Sequence, residues 1–387
     1  GAYQSLETLS ATQTFHPAFV GDLTGMRALR FTKWSYTNSS RITSWAQRAK
    51  PSDALWNSVE KGVPYDAMFE LSRLTGADPW VNVPPWVDDD FVRQLGQLAR
   101  QSLAPGANLL FEYGNEPWNG APPWSEAGVL FEEQAKAKWP GATLPMWQQR
   151  LNWYAYRSVQ MCRILKAQFG AEASRVKCIA GAQAANTAVG RTILECELAK
   201  AELGNTCGRQ LGALGIAPYF GHYMNNWSID STVQAWASES DGGMDKIFRE
   251  LTGRDAAGNV VPPPLITTDW SPRGGAMSET AYWITSNKAV ADLYGLPLFA
   301  YEGGQHLQTF VGGSKEAMFH AANRDPRMRA AMRQLADVWK AAGGQLFVPL
   351  SYTQLPSHGF FWGMKEHQRD DAAPKWQAIK ALRDEGW

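Results

Sequence analysis

Short runs of aliphatic, aromatic and β-branched residues alternate along this chain with longer stretches of helical periodicity. Seven runs read as strands: Arg27 to Trp34, Trp80 to Val83, Asn108 to Tyr113, Val176 to Ala182, Ala213 to Tyr219, Leu298 to Tyr301 and Leu346 to Ser351. Between two of them, Ala67, Met68, Leu71 and Leu74 share one face between Pro64 and Gly76. Val92, Leu95 and Ala99 repeat the pattern before Pro105 and Gly106. Trp147, Leu151, Tyr154, Cys162, Leu165 and Phe169 line a long helix. Met328, Met332, Leu335 and Trp339 line another, and Trp376, Ile379 and Leu382 mark a last one. Such alternation predicts an α/β fold, a parallel sheet wrapped by helices.

A length of 387 residues suits one (β/α)8 TIM barrel with long insertions, so a single domain over residues 1–387 is expected, with an atypical segment at 1–25. Seven strands leave such a barrel one short. The eighth is either hidden in Gly1 to Gly21 or absent, and a missing or atypical first strand is the favoured reading. Residues 187–210, and Asp241 to Gly275 with its Pro262, Pro263 and Pro264, read as long loops walling a cleft.

Lys plus Arg and Asp plus Glu are balanced at 37 each, so nothing favours a polyanionic partner. Nucleic acid and an anionic membrane surface are excluded as partners, and the substrate is expected to be uncharged. No apolar stretch is long enough to span a bilayer and the chain opens on no signal segment. A secreted or periplasmic protein whose export signal has been removed, acting as a monomer, is the expectation. Cys162, Cys178, Cys196 and Cys207 show no Cys-x-x-Cys spacing, and His16, His222, His306, His320, His358 and His367 show no ligand spacing. No metal and no cofactor is expected. Cys196 and Cys207, flanking a turn at Gly204 and Asn205, either form a bridge or remain two buried thiols. A bridge would indicate an oxidising compartment. The aromatic load is heavy, with 18 Trp, 12 Tyr and 16 Phe. Most of these rings serve the core, and the rest are free to stack on pyranose rings.

The stretch N-L-L-F-E-Y-G-N-E-P-W-N, Asn108 to Asn119, carries an Asn-Glu-Pro triplet past the end of an apolar run, and the run from Leu296 to Tyr301 ends in Glu302, Gly303 and Gly304. In a parallel barrel, reacting groups gather at the C-terminal strand ends. Two glutamates there fit glycoside hydrolysis with retention, in which one acid protonates the leaving oxygen and one carboxylate attacks, the pair roughly 5 to 5.5 Å apart. Glu116, beside Trp118, is the candidate acid and Glu302 the candidate nucleophile. Arg30 is expected to hold Glu302 charged, and the Asn115 amide is expected to bond the sugar 2-hydroxyl. Taken alone, Asn-Glu-Pro is more readily a helix start, since Asn caps helices and Pro begins them; the second strand-end glutamate is what tips the reading. Asp88, Asp89 and Asp90 most simply cap a helix.

These residues resemble clan A glycoside hydrolases, retaining (β/α)8 enzymes whose acid/base Glu follows an Asn after strand four and whose nucleophile ends strand seven. If Glu116 ends strand four, Glu302 ends strand seven and the Arg30 strand is strand two, in keeping with a missing first strand. More narrowly, A-L-R-F-T-K-W-S-Y-T-N-S-S, F-E-Y-G-N-E-P-W-N, G-A-Q-A-A-N, I-A-P-Y-F-G and G-F-F-W-G-M resemble proteins labelled cellulose-binding or cellulase-like, from about Phe15 onward. The resemblance implies further roles. Arg30 matches the strand-two arginine, Tyr219 or Tyr223 with His222 the polar groups after strand six, and Trp362 the tryptophan flooring the cleaved sugar's subsite. One departure stands out: Pro84, Pro85 and Trp86 occupy the place of a histidine after strand three.

Trp34, Trp86, Trp118 and Trp124 lie at or past presumed strand ends and are either sugar platforms or core, while His222 is either a substrate contact or a satisfied loop residue. The expected activity is endo-acting hydrolysis of a neutral β-linked polysaccharide such as β-glucan or cellulose. Two alternatives remain open: a non-catalytic carbohydrate-binding protein on a degenerate barrel, and a hydrolase of mannan, xylan or galactan.

Overall fold

The structure, a computed structural model, describes residues 13–265, 274–310 and 312–387. The strands in chain order are β1 Ala28–Arg30, β2 Asp78–Val83, β3 Leu109–Tyr113, β4 Val176–Gly181, β5 Ala213–Ile216, β6 Tyr219–Phe220, β7 Leu298–Ala300, β8 Gly304–Gln305 and β9 Leu346–Phe347. Seven of them form a sheet in the order β1-β2-β3-β4-β5-β7-β9, while β6 and β8 make a separate parallel pair. Each of the seven predicted runs overlaps one strand of the larger sheet, β2 starting two residues ahead of its run. The other six strands are shorter than their runs. The run from Ala213 to Tyr219 is cut at Ile216, because Pro218 has no N–H to offer a ladder, and resumes as β6.

No eighth strand of this sheet occurs among the described residues. In place of a first strand, Pro17–Leu23 is helical, with the His16 ring accepting from the Ala18 N–H. Residues 1–12, which hold most of the candidate segment Gly1 to Gly21, lie outside the described residues.

The predicted helices are present as Tyr65–Thr75, Asp89–Ser102, Met146–Phe169, Arg327–Ala341 and Pro374–Asp384. Gly76 closes the first in the left-handed region at φ 77°, where a residue without Cβ is least strained. Asp88 caps the second, its Oδ1 accepting from the Phe91 N–H at 2.7 Å, with Asp89 and Asp90 in the first turn. Residues 187–210 differ from expectation. They are largely helical, over Thr187–Glu195 and Lys200–Leu203, because Val189, Ile193 and Leu194 supply a buried stripe that the loop reading overlooked. Within Asp241 to Gly275, Met244–Thr252 is a helix burying Ile247, Phe248 and Leu251; residues 266–273 lie outside the described part.

By its contacts the chain falls into two compact units, Gly1–Glu133 with Arg157–Ile179, and Gln134–Tyr156 with Ala180–Trp387. The core of the first contains Phe69, Trp80, Phe91, Phe111, Phe131 and Phe169, all fully buried. A disulfide joins Cys162 to Cys178, tying the Met146–Phe169 helix to β4. The core of the second is built around Tyr154, Phe220, Tyr301, Trp339 and Trp376. Its disulfide joins Cys196 to Cys207, the bridged one of the two alternatives above. The described helices include none long and apolar enough to cross a membrane.

Candidate active site

In the first unit, three neighbouring strands assemble a buried polar group. Arg30, the last residue of β1, gives Nε to Glu112 Oε2 at 3.0 Å and a terminal nitrogen to the same oxygen at 2.9 Å. The Trp80 indole N–H on β2 reaches that oxygen at 2.9 Å. Glu112 on β3 is 1% exposed, so burial pushes its carboxyl above the ordinary range, with the Arg30 charge opposing that shift. The sequence predicts that Arg30 holds Glu302 charged. Within its own unit the guanidinium holds Glu112, a residue the sequence reading does not single out. The one signal was a charged residue at an otherwise apolar position of F-E-Y.

Arg30 also donates to Asn115 Oδ1 at 2.9 Å. A guanidinium has only donors, so this contact fixes the amide with its oxygen toward Arg30 and its NH2 turned away. Next in the chain, Glu116 has φ 47° although it is not glycine and precedes Pro117, two conditions that disfavour the left-handed region. Its carbonyl accepts from the Asn119 N–H at 2.9 Å, and the Asn119 side-chain amide gives to Glu116 Oε2 at 3.0 Å. Strain is thus concentrated at the candidate acid and held by a tight turn. Beneath it, Asn82 ties β2 to the turn, donating to the Gly114 carbonyl at 2.9 Å while accepting from Thr32 at 2.8 Å.

The candidate aromatic platforms of this unit differ among themselves. Trp86 has the Arg41 guanidinium over its ring, 3.8 Å from the centroid, and Arg41 pairs in turn with Glu126. One face of Trp86 is therefore covered. Trp34 packs against Phe31 at 5.1 Å and Phe15 at 6.2 Å, a packing role for at least part of its ring. Trp118 and Trp124 are half-buried.

In the second unit, Glu302 follows β7 and accepts from the Tyr219 hydroxyl at 2.9 Å. The β6–β8 pair makes this possible by setting Tyr219 opposite Gly304. Both glycines after Glu302 are needed. A Cβ on Gly303 would lie 2.9 Å from the Phe347 ring, and Gly304 has φ 131°. Around Tyr219 runs a series of rings. His306 lies 4.7 Å from Tyr219, Trp362 lies 5.6 Å from His306, and His222 lies 5.2 Å from Trp283.

Burial drives the His306 imidazole down to about 3, with the neighbouring His222 adding to the shift. Its Nε2 meets Gln308 Oε1 at 3.0 Å, which makes that nitrogen the N–H of a neutral ring. His222 keeps an edge in solvent, but the covering rings also lower it, opposed by Glu279. Of the two tyrosines, Tyr219 carries the contact to Glu302. Tyr223 is buried with its hydroxyl on Glu250, which also accepts from the Leu265 N–H at 2.8 Å.

No cluster of His, Cys, Asp and Glu able to hold a metal ion occurs among the described residues. No family model matches the chain, and no curated protein matches it in sequence. Among solved structures it is similar to a 4-O-α-L-rhamnosyl-β-D-glucuronidase from Fusarium oxysporum 12S, at 9% identity and a TM-score of 0.48. That match covers 94% of this chain and 62% of the other, so this chain spans less than two thirds of that enzyme. A Bacteroides ovatus GH5 xyloglucanase is similar at 10% identity and a TM-score of 0.42, over 97% and 78% of the two chains. A fungal β-1,4-galactanase is similar at 10% identity and a TM-score of 0.33, over 89% and 95%.

Proposed function

We propose that the chain is a retaining glycoside hydrolase, endo-acting on a neutral β-linked polysaccharide such as β-glucan. Glu302 serves as nucleophile and Glu116 as acid and base. The observation that carries this reading is the strand-end Glu302 held by the Tyr219 hydroxyl at 2.9 Å within a wall of aromatic rings. A carboxylate positioned this way suits in-line attack on an anomeric carbon.

In the first step Glu302 attacks the anomeric carbon while Glu116 passes its proton to the departing glycosidic oxygen, leaving a glycosyl ester on Glu302. In the second, Glu116 takes a proton from water, the water attacks the same carbon, and Glu302 is released. The Asn115 amide, turned by Arg30 to present its NH2, supplies a donor for the sugar 2-hydroxyl. Trp362 offers a floor for the cleaved sugar. A retaining mechanism works with its two carboxylates about 5 to 5.5 Å apart. Two disulfides fit an oxidising compartment, so the enzyme is proposed to work outside the cytoplasm, as a monomer.

Incubating the protein with β-glucans, xylan, mannan and galactan, followed by mass spectrometry of soluble products, tests the reading. Release of oligosaccharides is expected. Glu302→Gln should abolish it while sparing binding, and Glu116→Gln should slow poor leaving groups most. Full turnover by Glu302→Gln would defeat the assignment. Binding without product release by the unaltered protein would favour a carbohydrate-binding role instead.

A further inference from the structure

Lys315, Lys365 and Lys375 are the buried lysines among the described residues, all in the second unit, and they are not held alike. Lys315 pairs with Asp230, and Lys365 Nζ lies 2.7 Å from Asp371 Oδ1. Lys375 is 4% exposed and has only neutral oxygens as partners, Asn323 Oδ1 at 2.7 Å and the Phe361 carbonyl at 2.8 Å. A neutral amine fits that pair of acceptors. Its two N–H groups are both used and its lone pair is left over, whereas an ammonium would need a third acceptor. Burial without a counter-charge favours the same state. Accordingly the Lys375 amine is brought down to about 7 by burial, with only Glu366 opposing.

Lys375 lines a pocket of about 290 Å³. Gln354 lines it too, and Gln354 Oε1 is buried with no hydrogen-bond partner. The other charged or titratable groups of the wall are Arg324, Glu366, His367 and Asp370. Arg324 is neutralised by Glu366 through two contacts, at 2.6 Å and 3.0 Å. His320, on the Asn323 helix, packs edge-on against Phe361 with ring centroids 4.1 Å apart. The wall thus carries no surplus positive charge to attract an anion. It offers a nucleophilic nitrogen and an acceptor in need of a donor.

We propose that Lys375 is a reactive amine that condenses with a small uncharged hydroxyaldehyde admitted to this pocket. Nζ adds to the carbonyl carbon, forming a C–N bond as the carbonyl oxygen takes a proton. The carbinolamine then expels that oxygen as water, its two hydrogens coming from the amine, and leaves a C=N bond to Lys375. No oxidant or reductant is consumed. Gln354 Oε1 accepts from the aldehyde's hydroxyl. The site is independent of Glu116 and Glu302, so it stands or falls without the hydrolase reading.

The full chain is treated separately with glycolaldehyde and acetaldehyde in the presence of cyanoborohydride, which traps imines, and modified lysines are located by peptide mass mapping. At neutral pH Lys375 should be modified at least about tenfold faster than the carboxylate-paired Lys315 and Lys365, because burial leaves a large share of its amine unprotonated. Its rate should level off above about pH 7, once the amine has lost its last acidic proton. Asn323→Asp sets a carboxylate against Nζ and should cut labelling about tenfold by holding the ammonium. Gln354→Leu should remove the preference for glycolaldehyde over acetaldehyde. Labelling of Lys375 no faster than that of Lys315 and Lys365, or a rate still rising steeply well above about pH 7, would overturn the proposal using the unaltered protein alone.

Discussion

The Tyr219 hydroxyl donates to Glu302 Oε2 across 2.9 Å, although Tyr219 stands 83 positions earlier in the chain. Register brings them together: β6 runs beside β8 with Tyr219 opposite Gly304, two residues beyond the carboxylate.

Tyr219→Phe removes a hydrogen bond to a charged group, worth about 1.5–3 kcal/mol. If that bond orients Glu302 as the proposed nucleophile in the transition state, kcat should fall about 10- to 100-fold with KM little changed. Initial rates on the best polysaccharide of the panel measure this. An unchanged kcat would remove Tyr219 from the chemistry.

Arg30→Met should destabilise the protein by about 3–5 kcal/mol, because Glu112 would be left as a buried charge without its partner. The pH dependence follows from the raised Glu112 carboxyl. A folded-state pKa above the unfolded value means that the folded protein binds the proton more tightly, so stability is present at low pH and lost as pH rises through the folded value. Without Arg30 the folded value rises further. The deficit of the variant should therefore shrink on acidification below neutrality, as Glu112 takes a proton. Urea titrations at pH 7 and about pH 5 compare the two proteins.

His306, brought down to about 3, behaves in the opposite sense for a base. In the unfolded chain it gains a proton below about 6.5 while the folded chain keeps it neutral, so stability is lost as pH falls from about 6.5 toward 3. His306→Gln should flatten that loss, even if it costs stability at neutral pH. Unfolding midpoints taken through this window decide the matter; an identical acid slope in both proteins would count against a neutral buried ring.

Replacing Cys162 and Cys178 together by Ala should lower stability by about 2–4 kcal/mol, since the bridge closes a short loop in the unfolded chain. The second bridge would remain intact in that variant. Thermal melts of the double variant, and of the natural protein with and without reductant, provide the measurement.

Several features of the fold are legible in the sequence. Six strands of the larger sheet lie inside a predicted run and β2 begins two residues ahead of its own, while Asp88 caps its helix as predicted, because periodicity and capping are properties of neighbouring residues. The helix at Thr187–Glu195 was missed despite its buried Val189, Ile193 and Leu194, since a nine-residue stripe among Gly, Asn and Thr is easily taken for loop. The Cys162–Cys178 bridge had no signal at all. A helix residue and a strand residue of the first unit become neighbours only when the helix packs on the sheet.

What the amino-acid order decided alone was the alternation of strand and helix, and the placing of Glu116 and Glu302 just beyond β3 and β7. Tertiary structure decided the partners: Glu112 for Arg30, Tyr219 for Glu302, Arg41 over Trp86, and neutral oxygens alone for Lys375. The physical reason is range. Backbone preference acts over a few residues and can be read along the chain, whereas the partner of a side chain depends on register and facing between elements far apart in it.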